Sequence, residues 1–154
     1  MKQRILAILM AVALCVACIW SAEFETKAQD MGEDISFSEL MTEDALVGLI
    51  QSQTWGVYLL DGYSVINKIS STKIGAGGMT TAAKKCKVST TAIVEKYSSG
   101  VWGRVTSWTT TVQSGYSAGV SKSLTVTTGY NYRVRCLHYA GTDASSSFTS
   151  NLYM

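Results

Sequence analysis

The run Cys86-Lys87-Val88-Ser89-Thr90-Thr91-Ala92-Ile93-Val94-Glu95 alternates in character from one residue to the next. Cys86, Val88, Ala92 and Val94 share one parity, and Lys87, Ser89, Thr91 and Glu95 share the other. Successive side chains of a strand point to opposite sides, so this stretch reads as a strand with one apolar and one polar face. The same logic extends downstream. Ser98-Ser99-Gly100 signals a turn, and Val101 to Val112 is a second β-rich run of Trp, Val and Thr. Gln113-Ser114-Gly115 reads as a turn into Ala118, Val120, Leu124 and Val126, a face broken only by Lys122. Thr128-Gly129 turns the chain into Tyr130, Tyr132, Val134 and Cys136, which alternate with Asn131, Arg133 and Arg135. Stretches 63–82 and 146–153 add strand character, with Gly75, Gly77 and Gly78 marking a turn or bulge. Repeated short strands with turn signals between them predict an all-β fold: a small antiparallel β-sandwich, or a small barrel. No stretch after residue 55 has helical periodicity.

Upstream, the pattern changes. Lys2 and Arg4 precede Ile5 to Trp20, sixteen residues without a charge, and the run then ends in polar residues. A basic start, a short apolar run and a polar exit predict a secretory signal peptide over residues 1–28, cut after Ala22 or Ala28. A retained membrane anchor and a lipidated Cys18 are the alternatives. Residues 29–54 form an acidic leader, read either as a linker or as a short helix. Ser36 with Glu39 three residues on fits a capping box, and Leu40, Met41, Val47, Leu49 and Ile50 give a ragged apolar face. The β-domain then occupies 55–154. The expected location is outside the cell, secreted or associated with the cell wall.

The net charge of +2 conceals a split. Between Glu23 and Asp61 nine acids face the single base Lys27, whereas from Tyr63 to Met154 ten bases face only Glu95 and Asp143. Lys84, Lys85 and Lys87 cluster, and Arg133 and Arg135 share the outer parity of one strand, so these five residues are a candidate anion-binding surface. Outside a cell the polyanions at hand are cell-wall polymers, anionic headgroups and acidic glycans. Nucleic-acid-binding motifs are absent. The plainer reading is that the lysines keep the chain soluble and guard sheet edges, in a sequence without proline. Strand edges that pair with other chains would give the alternative role, structural or in assembly.

Catalytic chemistry has little to work with. Two placed carboxylates are needed for glycoside hydrolysis, and the basic body offers only Glu95 and Asp143. Zinc and calcium sites fail the same count of ligands, and Gly75-Ala76-Gly77-Gly78 lacks the helix and Lys-Ser/Thr pair of a phosphate loop. His138, the one histidine, can be drawn with Cys136 or Cys86 and Asp143 as a Cys-His-Asp set, but no nucleophile motif surrounds either cysteine, and a half-buried structural histidine is the better reading. No enzyme activity and no cofactor are expected. Trp55, Trp102 and Trp108 suggest sugar stacking or, more economically, core packing. Cys86 and Cys136 share the apolar parity and would form a disulfide if they met between sheets, the alternative being two buried thiols.

Several separated blocks carry a resemblance: Trp55-Gly56-Val57-Tyr58-Leu59-Leu60-Asp61-Gly62-Tyr63-Ser64-Val65-Ile66, Gly75 to Thr81, Val94-Glu95-Lys96, Gly100-Val101-Trp102, Ser107-Trp108, Gly129-Tyr130-Asn131-Tyr132-Arg133-Val134 and His138. Over residues 55–152 the chain resembles a family of small secreted proteins of Gram-positive, gut-type bacteria catalogued as a domain of unknown function. That resemblance implies export and a β-rich domain, and supplies no activity or site residues. Gly129 to Cys136 is also similar to the penultimate strand of immunoglobulin-like and fibronectin-like sandwiches, in which a Tyr closes a corner before an alternating strand.

The charged start and uncharged run generate the first prediction. Intact mass of the exported chain is expected to place its N-terminus near Glu23 or Gln29; Met1 retained in the membrane fraction would refute this.

Overall fold

The computed structural model describes residues 32–50 and 56–154. The expected signal peptide with its cleavage positions, the lipidation candidate Cys18 and Trp55 lie outside the described residues. The chain is all-β, as the alternation predicts. Its strands are β1 Glu33–Asp34, β2 Leu46–Leu49, β3 Leu59–Lys68, β4 Lys73–Ser98, β5 Val101–Thr125, β6 Asn131–Ala140, β7 Asp143–Phe148 and β8 Leu152–Tyr153, with one helical turn, α1, Phe37–Leu40. All pairings are antiparallel.

The sandwich is organised by the β4–β5 hairpin, whose turn is the expected Ser99-Gly100, with φ of 53° and 84°. The first half of β4 lies between β3 and the end of β5, with β2 and β1 completing that layer (sheet I). The second half of β4 lies between β6 and the start of β5, with β7 and β8 beyond β6 (sheet II). Between Thr81 and Val88 the register with β5 slips twice, and there the hairpin passes from one layer to the other. Two expected turns are therefore strand interior. Gly75, Gly77 and Gly78 lie within β4, and Gly115 pairs with Cys86 inside β5 at the passage.

Between the layers lies an apolar core of Ile66, Ile74, Ala76, Ala92, Val94, Trp108, Val120, Leu124, Tyr132, Val134 and Cys136. Tyr132 closes a corner: its hydroxyl donates to the Thr127 carbonyl at 2.8 Å. The cysteines do not bond. Both are free thiols, Cys136 in this core and half-buried Cys86 against a smaller cluster of Ala82, Val88, Ala118 and Ala140. Register explains the separation. Cys136 opposes Ala92, six residues along β4 from Cys86, on the order of 20 Å at strand rise. Shared parity put both on apolar faces but could not place them at one level. Burial pushes the Cys136 thiol up to about 12, and its Sγ contacts the Gly77 carbonyl of the opposite layer at 3.4 Å.

Residues 32–50 are built into sheet I. The capping box forms: the Ser36 hydroxyl accepts from Glu39 N–H and the Glu39 carboxylate accepts from Ser36 N–H at 2.8 Å. The helix stops after one turn, and Leu46–Leu49, expected to extend its apolar face, instead pairs with β3. The reason is on β4 and β5. A Cβ on Gly77 would stand 2.9 Å from Leu40 Cδ2, and one on Gly119 would stand 2.8 Å from Phe37 Cζ. These glycines form a trough on the outer side of sheet I that admits the two side chains of α1. Asn67, 1 % exposed, fixes the helix end by donating to the Glu39 carbonyl at 2.9 Å while accepting from Gly75 N–H.

Leu40 is wholly buried and Met41 half exposed, so the two should respond differently to truncation. Leu40→Ala is expected to cost about 2–5 kcal/mol in denaturant unfolding. Met41→Ala is expected to stay within about 0.5 kcal/mol. Equal effects would show that the trough contact does not hold α1.

Candidate binding surface

The polar parity of β4 forms the outer face of sheet II. Ser89 and Thr91 on β4 meet Thr111 and Thr109 on β5, and the hydroxyls bond at 2.9 and 2.8 Å. This Ser/Thr ladder leads to a charged cluster at the far end of the strands. Arg133 opposes Glu95 directly, and Arg135 is its neighbour on the same face. Arg133 Nε lies 2.7 Å from Glu95 Oε2 and Arg135 Nε 3.2 Å from Oε1. Each bond uses one of the five N–H donors of its guanidinium. Arg104 opposes Glu95 from β5. Glu95 lies on the polar face that the alternation predicts, yet it is only 7 % exposed beneath these cations.

Aromatic rings complete the face. The Arg133 guanidinium stands 4.2 Å from the Trp102 ring centroid and 5.2 Å from that of Phe148. Tyr97 lies beside Trp102, with centroids 5.2 Å apart. Planar Arg over an aromatic face is held by cation–π attraction, which also fixes its orientation. Sequence parity grouped Trp102, Arg104 and Trp108 on one face. A one-residue bulge at Val105 separates them: Val94 pairs with Thr106 but Glu95 with Arg104. Trp102 and Arg104 therefore face outward, while Trp108 turns into the core, 6 % exposed.

The five candidate anion-binding residues fall into two groups. Lys84, Lys85 and Lys87 are exposed where the hairpin changes layer, whereas Arg133 and Arg135 lie near the level of Glu95. Eight residues separate Lys87 from Glu95 along β4, roughly 25 Å at strand rise. Among the described residues, the leader's acids meet neither group. Glu33 pairs with Lys73 at 2.6 Å and Asp34 with Lys122 at 3.4 Å. The Lys73 ammonium holds the Glu33 carboxyl below its ordinary range. Between leader and sheet I lies a groove of about 580 Å³ lined by Glu33, Asp34, Glu39, Lys68, Lys73 and Ser123, whose hydroxyl is buried and has no hydrogen-bond partner. Sequence reading missed it, because the leader was read as a linker or a short helix, with no strand in it to pair with the sheet.

The Cys-His-Asp set is not assembled. His138 is fully buried between the layers, with Nδ1 2.8 Å from Thr80 Oγ1 and Nε2 2.8 Å from Ser147 Oγ. Counting protons fixes the tautomer. Thr90 gives its hydroxyl proton to the Ala118 carbonyl, so the one proton of Thr80 goes to Thr90 at 2.6 Å or to the Ser89 carbonyl at 3.2 Å. Thr80 then accepts from His138, which carries its proton on Nδ1, and Nε2 accepts from Ser147. Asp143 accepts from the backbone N–H groups of Tyr58 and Leu59 at 2.6 and 3.0 Å, bonds that lower its pKa. Among the described residues, no group of three His, Cys, Asp or Glu side chains could hold a metal ion, and no helix is long and apolar enough to cross a membrane.

No family model, curated protein or solved structure matches this chain.

Burial lowers the His138 pKa to about 4 from 6.5, only partly opposed by the charge of Asp61. Between these values the unfolded chain binds a proton that the folded chain refuses. Stability is therefore expected to fall as pH drops from about 6.5 toward 4, by on the order of 3 kcal/mol, and the change should be largely lost in His138→Gln. Chemical unfolding at several pH values tests this. A pH profile unchanged by the substitution would remove His138 as its source.

Proposed function

We propose that this protein is a non-enzymatic binding domain, acting outside the producing cell or at its surface, that takes anionic cell-wall polymers or acidic glycans on the outer face of sheet II. The observation that carries this reading is the Glu95 cluster. One carboxylate anchors Arg133 and Arg135 with Arg104 opposite, so cations outnumber the acid and two of them are held in fixed orientation. A phosphate or carboxylate would meet guanidinium groups whose ordering is already accomplished, which lowers the cost of binding. The rings of Trp102 and Phe148 and the Ser/Thr ladder give the same face apolar platforms and hydroxyls, the complement of a sugar ring. Lys84, Lys85 and Lys87 add to the field that draws a polyanion in, without touching the cluster. The buried His138, with both ring nitrogens engaged, favours binding over catalysis.

Titration calorimetry with purified teichoic acid and with an acidic glycan, at about 50 and 500 mM salt, tests the proposal. Binding is expected at low salt and should weaken strongly at high salt. Arg104→Gln with Arg135→Gln is expected to reduce affinity at least about tenfold, and Lys84→Gln, Lys85→Gln and Lys87→Gln together by less, because exposed charges contribute little individually. The proposal fails if neither polymer binds, or if the lysine variant loses more than the arginine variant.

A further inference from the structure

The lysines expected to guard the sheet edges do not stand on the longest one. β4 is the neighbour of β5 on one side along its whole length, whereas β1 covers only Lys122 and Ser123 on the other, with Ile35 N–H reaching Ser121. Among the described residues, no strand pairs with the outer edge of Val101 to Val120. That run contains one charge, Arg104, and no lysine, and the chain has no proline. Long, uncharged, proline-free edges rich in Thr, Val and Trp are templates for a further strand, and soluble proteins usually blunt them. The edge is also shown to accept an antiparallel partner, since β1 already occupies its far end.

We infer that Thr106–Val112 of β5 is a homodimer interface, in which the β5 edges of two copies pair antiparallel about a two-fold axis through Thr109. The occupant follows from composition. Pairing about Thr109 sets it opposite its own copy and Ser107 opposite Thr111, all on the outer face. The hydroxyl ladder Thr91–Thr109 and Ser89–Thr111 then continues into the second copy as Thr–Thr and Thr–Ser cross-strand pairs, a favourable combination in antiparallel sheets. The two Arg104 charges are carried apart, each toward the uncharged 113–115 stretch of the other copy. Seven residues a side would form roughly six to eight backbone hydrogen bonds, a contribution that salt does not screen.

The test uses the chain as the producing cell processes it, in sedimentation velocity over a range of concentrations at about 50 and 500 mM salt. A dimer that persists at high salt is expected. Thr109→Lys, which sets two like charges face to face, should weaken it at least about tenfold with the melting temperature of the monomer unchanged. In addition, Thr109→Cys should yield a disulfide-linked dimer under mild oxidation. Ser70→Cys, on the β3–β4 turn, and the unsubstituted chain should not. A chain that stays monomeric at about 100 μM overturns the inference, whether its edge is open or covered by another segment of the same chain. So does a dimer that Thr109→Lys leaves intact and Thr109→Cys fails to link. Because the expected dimer survives salt that abolishes polyanion binding, failure of one proposal does not decide the other.

Discussion

The rest of the structure depends on two strands that belong to both layers. β4 and β5 have 26 and 25 residues, several times the usual strand; β4 passes from sheet I to sheet II between Thr81 and Val88, and β5 returns between Val112 and Ser117. The passage is pinned by polar groups rather than by apolar packing alone. Thr80 precedes it, Thr90 follows it, and their hydroxyls bond to each other and through Thr80 to His138 of β6. A hydroxyl chain buried at 0 % exposure tolerates little misalignment, because a broken member would be left without water or partner. The network thus ties both halves of β4 and the β5 carbonyl of Ala118 to β6 where the layers meet.

Much of this was legible one strand at a time. Parity placed Val88, Ala92, Val94, Val134 and Cys136 inward and Arg133 and Arg135 outward, because a half-buried strand has a strict period of two. What single strands cannot disclose is register. Cys86 and Cys136 shared parity but not level. Glu95 looked exposed because the arginines that bury it come from a strand 38 residues away. The bulge at Val105 reversed the parity of Trp108 relative to Trp102, with Gly103 two residues before it as its one local mark. Glycine misled for a physical reason too: in a turn it supplies positive φ, whereas here it supplies absent volume, and local sequence cannot tell these uses apart. Gly77 and Gly119 make room for α1, and that is why the leader, readable only as a helix or a spacer, becomes part of the sheet.

The charge split takes on a more specific meaning once the contacts are known. Glu33 and Asp34 find Lys73 and Lys122 along the β1 edge, pairs whose carboxylates are exposed and which align the leader while contributing little to its hold. The hold comes from Leu40, Phe37 and Asn67. Among the described residues, the acid that meets the arginines of sheet II is Glu95, whose single carboxylate orders two of them without neutralising them. An arginine anchored through Nε and stacked on an aromatic ring keeps its charge and loses its mobility. A free lysine of the 84–87 group keeps both.

Face and edge belong to one half of the molecule, and this links the two roles proposed for it. A two-fold axis perpendicular to the sheet, as antiparallel pairing of β5 requires, leaves the outer faces of both copies on the same side. The Ser/Thr ladder would then run unbroken from one Glu95 cluster to the other, across a continuous sheet without a lysine between them. A polymer with repeating anionic groups could engage both clusters, and its second contact would be made at the effective concentration set by the first. Modest affinity at a single cluster is thereby compatible with firm retention on a cell wall, whereas a small anion would gain nothing from the pairing.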